Sequence, residues 1–117
     1  MSNDRPDRTI LLLTHNYPRH PGDFAGAFVA RLAELLVHRG YRAVVVAPHA
    51  PGTAEQETVN GVVIRRFRYA SDDREIIAYR GELGKISLWG PQGLWAYRRF
   101  LRAFTRAAQA AWREFNP

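Results

Sequence analysis

The chain of 117 residues contains no cysteine, one methionine and a single lysine, Lys85. Without cysteine it can form neither disulfides nor cysteine-ligated zinc or iron–sulfur sites. It also lacks any apolar run near the roughly 18 residues that span a bilayer, and its first eight residues are polar with no signal-peptide pattern behind them. We therefore expect neither secretion nor membrane insertion, and the missing cysteine fits a cytoplasmic protein.

Arginine is what the sequence has in excess. All but one of the 17 basic residues are Arg, against 11 acidic residues, which gives a net charge of +6. Residues 92–117 hold five Arg and one Glu, so the C-terminal segment carries most of this excess. Such a surface favours phosphate, nucleic acid or anionic lipid. A chain of this length that is 46% hydrophobic fits one globular domain.

Two apolar runs without alternation, residues 9–14 and 41–47, predict strands buried on both faces of a parallel sheet. Residues 15–22 contain two Pro and one Gly and predict a loop. Asp23 is the predicted N-cap of a helix that ends at Gly40. The predicted core face of that helix consists of Phe24, Phe28, Leu32, Leu35 and Leu36.

The second half of the chain predicts one more strand and one long helix. Residues 48–60 are expected to form a surface loop, and residues 62–69 a third strand whose Arg residues indicate a partly solvated edge position. Residues 70–91 have no clear pattern. Residues 92–115 predict an amphipathic helix, and its predicted apolar stripe consists of Leu94, Tyr97, Leu101, Phe104, Ala108, Ala111, Trp112 and Phe115.

These elements together predict an α/β fold, a Rossmann-like parallel sheet with flanking helices. Strands that are apolar on both faces need helices on both sides and neighbouring strands. Residues 1–117 end just after a helix, where the next strand would follow. We therefore expect them to be an incomplete, N-terminal portion of a larger domain.

The loop after the first strand is the candidate ligand site. In such sheets ligands bind beyond the carboxyl ends of the strands, where a helix N-terminus attracts anions. Gly22 and Gly26 would allow a ligand to approach the backbone, or would serve only as turn and packing glycines. His15 is the one histidine expected near this cleft. The spacing of the four histidines matches no metal-ligand pattern, so no metal site is predicted.

At this loop the sequence resembles a known family. The segment ILLLTHNYPRHPGDFAGAFVARLAELLVHRGYRAVVVAPHAPG, followed later by NGVVIRRFRY, resembles the opening of the family 4 type glycosyltransferases of GT-B fold. The resemblance is strongest over residues 9–69. It includes Tyr17-Pro18, Arg39-Gly40-Tyr41 and the Val-rich strand that ends in Ala47-Pro48. Many members place two adjacent glycines in the loop, whereas here Asp23 follows Gly22.

The resemblance implies a nucleotide-sugar-dependent enzyme that transfers a glycosyl group to a hydroxyl acceptor, with this chain on the acceptor side of the cleft. Its catalytic residues are not identified by the sequence. The nucleotide-sugar donor would bind to a C-terminal domain that these residues do not include, so we expect this segment to bind no cofactor and to be inactive alone. The implied substrate-binding residues are His15, Asn16, Tyr17, Gly22, Asp23 and Gly26.

The C-terminal helix adds a second hypothesis. Many members of that family act on lipid-linked acceptors, and an anionic membrane surface would fit Arg98, Arg102 and Arg106. The alternative is a solvated Arg face on a helix packed against the sheet. Two further functions stay open. One is a nucleic-acid-binding domain that uses Arg65, Arg66, Arg68 and this helix, although no recognised module is present. The other is a non-catalytic subunit that completes its sheet with another chain.

Overall fold

The computed structural model describes residues 8–69 and 91–117. Four strands form one open sheet in the order β1-β2-β4-β3. The strands are β1 (Thr9–Leu13), β2 (Arg42–Pro48), β3 (Gln56–Val59) and β4 (Val62–Phe67), and the helices are α1 (Ala27–His38) and α2 (Pro91–Phe115). β1, β2 and β4 are parallel, so their carboxyl ends meet at one edge of the sheet.

The two helices cover opposite faces of the sheet. β2 runs through the middle, and its residues 43–48 are fully buried. Its Val45 packs in the cluster beneath α1, whereas Val46 packs beneath α2. Successive strand residues point to opposite faces, so a strand covered on both sides is apolar throughout. The predicted α/β class is confirmed, with a sheet that is mixed and mostly parallel.

The prediction of a loop over residues 48–60 was wrong in its last part. β3 pairs antiparallel with β4, and the two strands are joined by Asn60 and Gly61. Both joining residues have positive φ, 53° and 82°, as the tightest hairpin turns require. Asn-Gly between β-branched residues is the sequence signal for such a hairpin.

The expected edge position of the third strand was also wrong. β4 has β2 on one side and β3 on the other, and Arg66 is only 4% exposed. The arginines of this strand have partners instead. Arg65 Nη2 donates to Glu114 Oε2 of α2 at 2.6 Å, and Arg68 Nε donates to Glu55 Oε2 at 3.0 Å. The arginines in this segment are therefore explained by their ion pairs and not by an exposed edge position.

α1 ends as predicted but turns a different face to the sheet. Gly40 follows the helix with φ 91° and accepts the left-handed conformation that terminates it. Phe24 and Phe28, expected in the core, are 92% and 81% exposed. Leu36 packs inward as predicted, together with smaller residues that let the helix approach the sheet closely: Val29, Ala30, Ala33 and Val37.

α2 confirms the predicted helix, but its core stripe is rotated from the predicted one. Phe100, which the predicted stripe omits, is 2% exposed and lies with its ring centroid 4.9 Å from that of Tyr69. Phe104 stacks on Phe67 at 5.0 Å. The predicted core residues Leu94, Leu101 and Trp112 remain 47%, 43% and 60% exposed. Residues 70–90, which had no clear pattern, lie outside the described part of the chain.

Candidate functional site

The loop between β1 and α1 leaves the carboxyl edge of the sheet in a fixed turn. The Thr14 hydroxyl donates to the carbonyl of Asn16 at 2.8 Å, and the N–H of Asn16 lies 3.3 Å from the same hydroxyl oxygen. Thr14 is anchored in turn, because its N–H donates to the carbonyl of Val46 in β2 at 3.1 Å. This arrangement leaves His15 exposed at the crest of the turn.

The two glycines of the loop have different surroundings. Gly26 has φ 68°, and a Cβ atom there would lie 2.6 Å from the carbonyl oxygen of Asn16. The loop can therefore fold back on itself only if this residue is glycine. Gly22 has φ 88°, and a Cβ atom there would meet nothing within 4 Å. Of the two, Gly22 is the one with open space beside it.

Asp23 does not cap α1, contrary to the prediction. The helix begins at Ala27 with Gly26 as its N-cap and has no side-chain cap. The Asp23 carboxylate instead accepts hydrogen bonds from Arg19, from Nε at 2.7 Å and from Nη2 at 3.2 Å. It also accepts the backbone N–H groups of Arg19 and Ala25. These bonds, led by the one from the Arg19 side chain, hold the pKa of Asp23 well below its usual range.

Tyr17 is buried beneath the loop and not on its surface. Its ring is 4% exposed, and burial raises the pKa of its hydroxyl to about 12. The guanidinium carbon of Arg66 lies 5.8 Å from the ring centroid. Arg66 also donates to the carbonyl of Pro18 at 2.7 Å and lies 3.6 Å from the carboxylate of Glu57. A buried cation from β4 thus fixes the underside of the loop.

A groove of about 440 Å³ runs from this loop between α1 and the β3–β4 hairpin. The structure brings three predicted site residues, Tyr17, Gly22 and Asp23, to its walls, whereas His15, Asn16 and Gly26 do not line it. Sequence reasoning missed the opposite wall, which contains Glu57 and Asn60 of the hairpin. The Asn60-Gly61 turn signal could have revealed the hairpin itself, but not its position beside α1.

Of the other histidines, His20 is exposed and lines the groove, whereas His38 and His49 lie outside it. His49 is 2% exposed at the end of β2, and its Nε2 lies 2.9 Å from the carbonyl oxygen of Thr53. His38 is exposed in the last turn of α1. Within residues 8–69 and 91–117, no group of three or more acidic or histidine side chains is placed to hold a metal ion.

The basic residues divide into engaged and exposed groups. Arg66 is buried, and Arg65 and Arg68 form ion pairs with Glu114 and Glu55. This internal engagement weighs against their use as a nucleic-acid surface. Arg98, Arg102 and Arg106 are exposed on α2. Neither of the two described helices is apolar enough over a sufficient length to cross a membrane.

Comparison of the chain with protein-family models, with curated proteins and with solved structures gave no match.

Proposed function

We propose that this chain is part of the acceptor-side domain of a nucleotide-sugar-dependent glycosyltransferase, as its resemblance to the family 4 type implies. One observation carries the proposal. The loop that resembles the family leaves β1 at the carboxyl edge of the parallel strands and borders a groove of about 440 Å³. Enzymes with open α/β sheets bind their ligands at this edge.

The chemistry proposed for this site is positioning of an acceptor hydroxyl. Outside the groove, His15 is exposed at the crest of the same loop and offers a ring nitrogen to a polar ligand. Gly22 leaves space for a ligand against the backbone. Asp23 is bound by Arg19 and stays ionised, so it suits shaping the loop better than accepting a proton. Nucleotide-sugar binding is assigned to a further domain.

Peripheral association with the cytoplasmic face of a membrane belongs to the same proposal. Arg98, Arg102 and Arg106 are exposed on α2, and anionic lipid attracts clustered basic residues. Replacing Arg98 and Arg102 with Glu should abolish binding to anionic liposomes, and unchanged binding would contradict this part.

The activity is tested on the complete product of the reading frame that encodes this chain. Release of nucleoside diphosphate is measured with a panel of nucleotide-sugars and hydroxyl acceptors. His15→Ala should lower kcat/KM for the acceptor. The matched control is His38→Ala, an exposed histidine at the far end of α1, which should leave kcat/KM unchanged. Equal effects of the two variants, or no turnover of any donor, would overturn the proposal.

A second candidate is a non-catalytic subunit that completes its sheet with another chain. One observation favours it: β1 has a neighbour only on the β2 side among the described strands. Size-exclusion chromatography and thermal melts of the chain with and without a co-expressed partner separate the two ideas. A cooperative melt that needs the partner, together with no donor turnover, would favour the subunit.

A further inference from the structure

A row of side chains on α2 faces the end of β4 across a groove of about 480 Å³. Trp95, Arg99, Arg102 and Arg106 follow one another at intervals of four, three and four residues, which places them along one line of a helix. The described wall opposite the row contains Arg68 and Tyr69. Four arginines therefore border one concave surface at the carboxyl edge of the sheet.

The positive charge of the row is not balanced within the described part of the chain. Arg19, Arg65 and Arg68 each form an ion pair. In residues 8–69 and 94–117, by contrast, no carboxylate lies within 4.0 Å of Arg99, Arg102 or Arg106. Like charges three and four residues apart destabilise a helix. Packing of α2 does not explain the row, because its arginines lie outside the buried stripe.

The rest of the groove is held in place by packing. Tyr69 is 5% exposed and meets Phe100 edge-on at 4.9 Å, and Arg68 is bonded to Glu55 at 3.0 Å. Trp95 is 63% exposed at the end of the row. The wall opposite the row is therefore held in place, and one apolar ring lies beside the guanidinium groups.

The dimensions and chemistry of the row indicate its ligand. Guanidinium groups bind phosphate oxygens through paired, charge-assisted hydrogen bonds. Arg106 lies seven positions after Arg99, which is about 10 Å along the helix axis at 1.5 Å per residue. This length suits an anion with more than one charged group, and the indole of Trp95 suits an apolar part attached to it.

We propose that this groove, defined by Arg68, Trp95, Arg99, Arg102 and Arg106, binds a phosphate ester or diphosphate whose other end is apolar. Two sources supply that chemistry, a soluble phosphate ester and the headgroup of an anionic phospholipid. The site is separate from the loop after β1, so the proposal does not rest on glycosyl transfer. If the ligand is a lipid headgroup, the site deepens the membrane association proposed above for Arg102 and Arg106.

The experiment uses two probes and two matched variants of the full chain. The probes are inorganic pyrophosphate, measured by calorimetry, and phosphatidylglycerol vesicles, measured by flotation against phosphatidylcholine vesicles. The groove variant is Arg99→Gln with Arg102→Gln. The control variant is Arg39→Gln with Arg113→Gln, which removes the same charge at exposed positions that do not line the groove.

The groove variant should weaken binding of at least one probe by about tenfold or more, and the control variant by less than about twofold. Loss confined to pyrophosphate would identify a soluble ester, and loss confined to vesicles a lipid headgroup. Equal weakening by both variants would overturn the proposal in favour of a diffuse basic surface. Failure of both probes to bind the unmodified chain, or stronger binding of a DNA duplex than of either probe, would also overturn it. Circular dichroism checks that the variants fold.

Discussion

The two edges of the sheet differ in how they are covered. On the β3 side an antiparallel strand covers β4, and hydrogen bonds connect the sheet to both helices. Asn60 of the hairpin donates to Glu34 of α1 at 3.0 Å, and Arg65 of β4 donates to Glu114 of α2 at 2.6 Å. On the β1 side no described strand follows, and Leu13 at the end of β1 is 53% exposed.

Both helices leave an apolar flank on the open side. Glu34 lies on the flank of α1 that faces the hairpin. At 100° per residue, the opposite flank of the helix carries Phe28, Leu32 and Leu35. These three side chains are 81%, 39% and 49% exposed. Glu114 marks the β4 flank of α2 in the same way. The residues on its other flank are Leu94, Leu101 and Trp112.

Among the described residues, one open edge and two apolar flanks, one on each face, therefore lie on the same side of the sheet. Burying all three takes a further strand beside β1 with helices above and below it, the arrangement of a doubly wound sheet. This comparison supports the proposal of a larger domain.

The largest effect is expected on the closed side, at Arg66. Arg66→Met leaves the carbonyl of Pro18 and the carboxylate of Glu57 without their cation, so the free energy of unfolding should fall by about 3 kcal/mol. Arg68→Met, directly after the same strand, removes an exposed pair with Glu55 and should cost less than about 1 kcal/mol. Urea unfolding measures both, and equal losses would contradict the assignment.

The next effect concerns the loop glycine. Gly26→Ala introduces a Cβ atom 2.6 Å from the backbone oxygen of Asn16 at φ 68°, and should lower the free energy of unfolding by about 2 kcal/mol or more. Gly40→Ala has a similar φ of 91° with nothing within 4 Å, so it should cost only about 1 kcal/mol. A similar cost for both variants would show that the loop does not fold against Asn16.

Asp23 should make a pH-dependent contribution. Its pKa is lower in the folded chain than the ordinary value of 3.8, so the folded state favours the carboxylate and its stabilisation is complete above that value. Asp23→Asn should cost about 1–2 kcal/mol at pH 7. The difference between the two proteins should shrink as the pH falls below 3.8. Denaturant melts at several pH values measure this, and a pH-independent difference would refute it.

The smallest effect is expected on the open flank of α1. Leu35→Ala should change the free energy of unfolding by less than about 0.5 kcal/mol, because that side chain is 49% exposed. The adjacent Leu36 packs against the cluster beneath the helix, and Leu36→Ala should cost about 2 kcal/mol. A large loss at Leu35 would mean that the flank is covered in solution.

The sequence predicted the elements whose signals are local. The apolar runs placed β1 and β2, and Gly40 placed the end of α1, because burial on both faces and a left-handed residue leave direct traces in the chain. The core face of α1 was predicted from its large apolar side chains. In the structure mostly small side chains face the sheet instead, because they let the helix pack close to it. There Ala30 and Ala33 pack inward while Phe28 stays outside.

The site was predictable only in part, for a similar reason. The position of the loop follows from the βαβ order, which the sequence carries. The groove does not follow from that order. Two of its residues, Glu57 and Asn60, come from a hairpin more than 30 residues further along the chain than Gly22 and Asp23. The partner of Asp23 also had to be seen in three dimensions, because Arg19 competes with the helix N-terminus for the same carboxylate.

Hydrogen exchange in β1 of the 117-residue chain, followed by NMR, measures whether the outer edge of the sheet is open. The N–H of Thr14 donates to Val46 and the carbonyl of Arg8 accepts from Arg42, so even-numbered residues of β1 face β2 and odd-numbered ones face away. The account predicts that Leu11 and Leu13 exchange nearly as fast as an unfolded peptide, while Ile10, Leu12 and the β4 amides are protected. Protection of Leu11 and Leu13 equal to that of β4 would contradict it.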